Sequence, residues 1–174
     1  MKIRIPEIID SNKYYTRYLS LASGDDLLTE LYNISSLTLC ELEKLQDADL
    51  RFAYAENKWS IGILLQHICD AERVYAYRAL RFLRGDTSEV PGFDEDFFAQ
   101  GSLGYKTISN FVEEYTAVRS ATVHLFLNSN LDNLDLKGNA NGMQFTPREL
   151  GWLAVGHNRH HLNILEERYL PRLK

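Results

Sequence analysis

The sequence predicts an all-α protein, a four-helix bundle, from three observations. Four long segments repeat their apolar residues with the period of a helix, no segment shows the sustained alternation of a strand, and 174 residues fit one buried core. The expected organisation is a lead-in segment over 1–22 followed by a single bundle domain over 23–174. In the lead-in, Pro6 works against an early helix, and Tyr14, Tyr15, Tyr18 and Leu19 form a short apolar ridge.

The first helix is expected over about 24–46. Ser23 opens it, Asp25 and Asp26 complement its positive end, and Leu27, Leu28, Leu31, Ile34, Leu39, Leu42 and Leu45 share a face. The second, over about 60–84, is capped by Ser60 and stopped by Gly85, and His67 lies in the middle of its apolar stripe. Residues 85–106 hold four glycines, one proline and five acidic residues without a sustained period, so they read as a long loop that Phe93, Phe97 and Phe98 pin to the bundle. The third helix starts after Thr107 and runs to about 128. The fourth opens on Thr146, Pro147 and Glu149, a capping box with proline in the first position, and runs to about Tyr169, before Pro171. Between them, Asn141-Gly142 marks a tight turn. The 85–106 connection is long enough to travel the length of the bundle, which argues against simple up-down-up-down connectivity.

Composition narrows the function. The net charge is −5 and no basic block appears, so nucleic-acid binding is not expected. No apolar run is long enough to span a membrane, and the first residues lack the apolar core of a signal peptide, so a cytoplasmic protein is expected. Cys40 and Cys69 form no CxxC pair and read as buried thiols.

Four of the five histidines lie in two amphipathic segments. His157 and His161, four residues apart, point the same way from one helix face, a spacing that suits two ligands of one metal ion. His67 is the candidate third ligand, from the facing helix. Three neutral imidazoles suit Zn²⁺, Ni²⁺ or Fe²⁺ and leave positions open for water or substrate. Asp70, one turn after His67, is the candidate to orient an imidazole by accepting its distal N–H. His160 falls at the rim of this face and His124 on the surface. Asn158 stands where a zinc peptidase of the HExxH type has its glutamate base, so that chemistry is not expected. The run Asp94, Glu95, Asp96 reads as solvated loop charge, and Trp59 and Trp152 as packing. A purely structural reading, with hydrogen-bonded core histidines, stands beside the metal reading.

The stretches WSIGILLQHICDAERVYAYRALRFLRGD, PGFDEDFF, EEYTAVR and GHNRHHLNILEERYL resemble the DinB/YfiT-like superfamily over about residues 25–170. The resemblance implies a down-up-up-down four-helix bundle and a divalent metal held by His67, His157 and His161. It also implies a homodimer. Relatives of this kind include S-transferases and isomerases that use a low-molecular-weight thiol such as bacillithiol, mycothiol or glutathione. The expected function is therefore a metal-dependent enzyme that transfers such a thiol to a small electrophile, or a related hydrolase or isomerase. The alternative is a non-catalytic module that binds a metal or small ligand.

Overall fold

The fold, a computed structural model, describes residues 2–7 and 13–173. The side chain of Tyr14, part of the expected N-terminal ridge, lies outside the described residues. The four long helices are α2 (Leu27–Leu42), α3 (Ile61–Leu83), α5 (Ile108–Leu127) and α6 (Pro147–Ile164); the shorter α1 (Lys13–Leu19) and α4 (Glu95–Gly101) accompany them. A hairpin of β1 (Gly138–Ala140) and β2 (Met143–Phe145) precedes α6.

Helix starts follow the capping chemistry. The side chains of Ser60, Thr107 and Thr146 accept from Ile63 N, Asn110 N and Glu149 N, and Glu149 returns the bond to the Thr146 N–H. The first long helix departs from expectation. Gly24 has φ +95°, outside the helical region, so Ser23 cannot open the helix; Asp26 caps it instead, accepting from Thr29 N. The other carboxylate oxygen of Asp26 accepts from Ile3 N at 2.9 Å, fastening the extended N-terminal segment to the start of α2. Beyond α6 the chain continues through a wider π-type turn at Leu165–Tyr169 and a 3₁₀ turn containing Pro171, so the expected end near Tyr169 is reached with changed geometry.

Side-chain pairs give the sense of each helix. Leu31 and Ser35 of α2 meet Arg119 and Tyr115 of α5, so these two helices are antiparallel. Leu27 lies against Gly151 and Thr38 bonds Asn158, so α2 and α6 run the same way. Tyr105, just before α5, bonds Gly62 at the start of α3, and Glu72 further on pairs with Arg119, so α3 and α5 are parallel. The result is down-up-up-down. Helices consecutive in sequence, α2 and α3, then α5 and α6, occupy opposite corners, while α3 packs closely on α6 and α5. The 85–106 connection must return from the end of α3 to its beginning, a span of about 35 Å for 23 helical residues. It does so with one helical segment, α4.

Two elements were not legible as such. The N-terminal ridge is a helix, α1, packed along α6, where a Cβ on Gly156 would stand 2.0 Å from the Tyr18 carbonyl oxygen. The polar stretch before α6 is a hairpin whose Asn141-Gly142 turn has φ +53° and +71°, as expected of that pair. Its strands are three residues each, too short for alternation to register, and Val90 of the long connection bridges Ala140.

Candidate metal centre

His67 lies near the start of α3, and His157 and His161 lie near the end of the antiparallel α6, so all three reach the same end of the bundle. Each is at most 7% exposed. His157 Nε2 is 3.0 Å from His67 Nε2 and 3.1 Å from His161 Nε2. Neutral imidazoles cannot satisfy this arrangement among themselves. An imidazole nitrogen offers either one N–H or one lone pair, so His157 Nε2 can complete a full hydrogen bond with only one of its two neighbours at a time. A first-row cation with bonds of about 2.0–2.1 Å wants ligating nitrogens roughly 3.0–3.4 Å apart, which the two separations at His157 match. The donor set fits a divalent metal, and these three residues could hold one.

Burial also keeps the lone pairs available. It pulls the His67 pKa down to about 4, helped by the charge of His160 and opposed by that of Asp96. His157 and His161 are pushed well below the usual histidine range, chiefly by burial and then by neighbouring imidazoles. All three are neutral at physiological pH, the form that ligates.

Ring packing orients the imidazoles. Trp59 lies 4.8 Å from the His67 ring, and Tyr18 of α1 lies 5.2 Å from His157 and 5.1 Å from His160. The Tyr75 ring is 5.7 Å from His157. Asn158 turns away from the histidines. Its side chain accepts from Tyr115 and Arg119 and donates to Thr38, and Arg119 in turn holds both carboxylate oxygens of Glu72 at 2.8 Å. That network ties α6 to the other three long helices and fixes its rotation, so that His157 and His161 face α3.

A cavity of about 280 Å³ opens beside His161, with Tyr54, Lys58, Trp59, Asp96 and Tyr169 among its walls. A second, of about 330 Å³, is lined by Tyr15, Tyr75, Arg78, Phe93 and Glu95. Asp96 and Glu95 both belong to α4.

Several expectations change at this point. Asp70 hydrogen-bonds Arg73 at 3.4 Å, and Arg73 continues to Glu114 of α5; no hydrogen bond of Asp70 goes to a histidine among the described residues. Three residues on from His67, it lies toward the flank where α5 packs. The Nδ1 of His161 has no hydrogen-bond partner among the described residues, so no carboxylate orients that ring. Cys40 is exposed rather than buried; Cys69 is buried, which pushes its thiol up to about 12 and keeps it protonated. Trp59 lines the cavity beside His161 as well as packing on His67, whereas Trp152 is fully buried in the core. Asp94 caps α4, and Phe97 is 71% exposed and pins nothing. His160 is half-buried at the rim and His124 is exposed, as expected. Sequence reasoning missed Asp96, Tyr75 and Tyr18 as neighbours of the site. Asp96 looked like ordinary loop charge, and only the return path of the chain brings it to the histidines.

The sequence profile of the DinB superfamily matches residues 30–165. Among solved structures, the chain is similar to YfiT from Bacillus subtilis, described as a probable metal-dependent hydrolase with an unusual four-helix bundle topology. The TM-score is 0.68 at 17% identity, over 96% of this chain and 91% of that one. It is also similar to a DinB-like protein, YjoA, from Bacillus subtilis, with a TM-score of 0.60 at 18% identity, over 80% of this chain and 86% of that one. A search of curated proteins found no match.

Proposed function

The chain belongs to the DinB superfamily, and on that premise we propose that it is a metal-dependent enzyme whose His67, His157 and His161 hold one divalent ion through their Nε2 atoms. Its reaction, in this reading, joins a low-molecular-weight thiol to a small electrophile. The observation that carries the metal assignment is that His157 Nε2 stands 3.0 and 3.1 Å from the Nε2 atoms of His67 and His161, all three buried and with their ligating atoms within 4.8 Å of one another. A divalent metal supplies Lewis acidity there, making a thiol or water a stronger nucleophile at neutral pH.

The chain's own residues do the rest. Burial holds the three imidazoles neutral and poised to ligate. Trp59 and Tyr169 wall the cavity beside His161 and limit water, Lys58 adds a cation to its lining, and in this reading Asp96, in the same wall, takes up the proton that the nucleophile loses. The description of YfiT as a probable metal-dependent hydrolase supports the metal in this reading and keeps water as a competing nucleophile. The same reading takes the protein as a cytoplasmic homodimer. The half-exposed Tyr77 and Leu80 of α3, bordering an apolar groove against α5, support a pairing face there.

The test is metal content of protein purified without chelators, followed by a thiol screen using bacillithiol, mycothiol and glutathione with a common electrophile. One metal per chain, lost in His157→Ala together with product formation, is the expected result. Full turnover in that variant overturns the mechanism. Metal binding without turnover of the electrophile by any thiol or by water leaves the non-catalytic binding module.

A further inference from the structure

Arg78 is 1% exposed, yet it lacks what a buried guanidinium normally has. One terminal nitrogen donates to the Pro91 carbonyl at 3.1 Å, its Nε has no hydrogen-bond partner, and no ion pair reaches it among the described residues. Arg119, 4% exposed, holds both oxygens of Glu72. An arginine cannot shed its proton at any ordinary pH, and a buried charge without a counter-ion is costly. Arg78 lines the 330 Å³ cavity, so the missing anion has space to arrive from outside.

We propose that Arg78 and the cavity walls of Tyr15, Tyr75 and Phe93 form a subsite for a small organic monocarboxylate. The guanidinium presents parallel N–H donors that match a carboxylate, and the aromatic walls suit an apolar body. Glu95 lines the same cavity and is itself held in interactions; its negative charge disfavours a phosphate or a dianion relative to a single carboxylate. Tyr75 stands one turn from Arg78 on α3, and its ring is 5.7 Å from that of His157, so one side chain borders both this cavity and the histidine cluster. The anion subsite stands on its own geometry. Its service to substrate rests on the metal-enzyme reading above.

Phenylacetate and its neutral counterpart phenylacetamide are suitable probes, measured by titration calorimetry on the full chain, as purified and after chelator treatment. Chelated protein is expected to bind phenylacetate at least tenfold more tightly than the amide, and Arg78→Met to weaken phenylacetate at least tenfold while leaving the amide unchanged. Equal binding of acid and amide, binding of neither, or wild-type affinity in Arg78→Met overturns the subsite. If Arg78→Met does not fold, the acid-to-amide ratio in the unaltered protein decides alone. Chelated protein isolates this result from the metal reading: absence of metal uptake leaves the subsite standing, and one metal per chain without acid preference removes only the subsite.

Discussion

Two buried polar clusters lie within one bundle, and they differ in whether the protein satisfies them by itself. Around Arg119, the Glu72 carboxylate, the Leu31 carbonyl, Ser35 and Asn158 take up the guanidinium donors, and Tyr115 and Thr38 complete Asn158. Around His157, three nitrogens face one another with no internal solution, and His161 Nδ1 is left over. A closed network holds helices in place. An open one waits for a ligand, because a folded chain rarely leaves buried polar groups unmatched without a reason.

The sharpest way to break this contrast is Arg119→Met. It strands the Glu72 charge in the core and should cost about 3–5 kcal/mol, read as a shifted urea midpoint, with Glu72→Met in the same chain recovering a large part. A variant as stable as the parent would show that the closed network does not hold the bundle.

Metal addition comes next in size. Zinc at a thousandfold excess over its dissociation constant should stabilise the protein by about 4 kcal/mol, or roughly 10 °C in melting temperature. His161→Ala should abolish the gain. If both proteins respond alike, zinc is binding elsewhere.

Acid should then act on the open cluster of the metal-free protein. The imidazoles have lowered pKa values when folded and titrate at about 6.5 when unfolded, so below that pH the unfolded chain takes up protons that the folded chain refuses. The stability they contribute is complete above about pH 6.5. It is lost as pH falls toward the His67 value of about 4. Denaturation midpoints between pH 7.5 and 4.5 should fall in metal-free protein, with a shallower slope in His67→Gln.

Smallest is Thr146→Ala, which removes the cap of the helix that both clusters share and should cost about 1 kcal/mol. Metal affinity should be unchanged when measured well below the melting temperature. A tenfold loss there would mean that the start of α6 positions the histidines near its end.

Much of this arrangement is legible in the chain before folding. Ser60, Thr107 and Thr146 announce their helices because capping needs only neighbours, and HxxxH declares a shared face because four residues make about one turn. Asn141-Gly142 declares its turn for the same local reason. The N-terminal helix was less visible, since seven residues give little periodicity. Asp70 was assigned to the histidines from its spacing alone, but Arg73, which also pairs with Glu114 of α5, donates to it instead.

Local chemistry alone therefore determined the four long helices, the caps of three of them and three histidines on apolar faces. Periodicity and capping are short-range forces written into adjacent residues. Only tertiary structure decided that His67 meets His157 and His161, that Asp96 returns to their side, and that Arg119 meets a carboxylate while Arg78, among the described residues, meets only the Pro91 carbonyl. Those facts depend on which helices share corners and on where a 22-residue connection lays its acidic turn, and both are settled when the whole core packs at once.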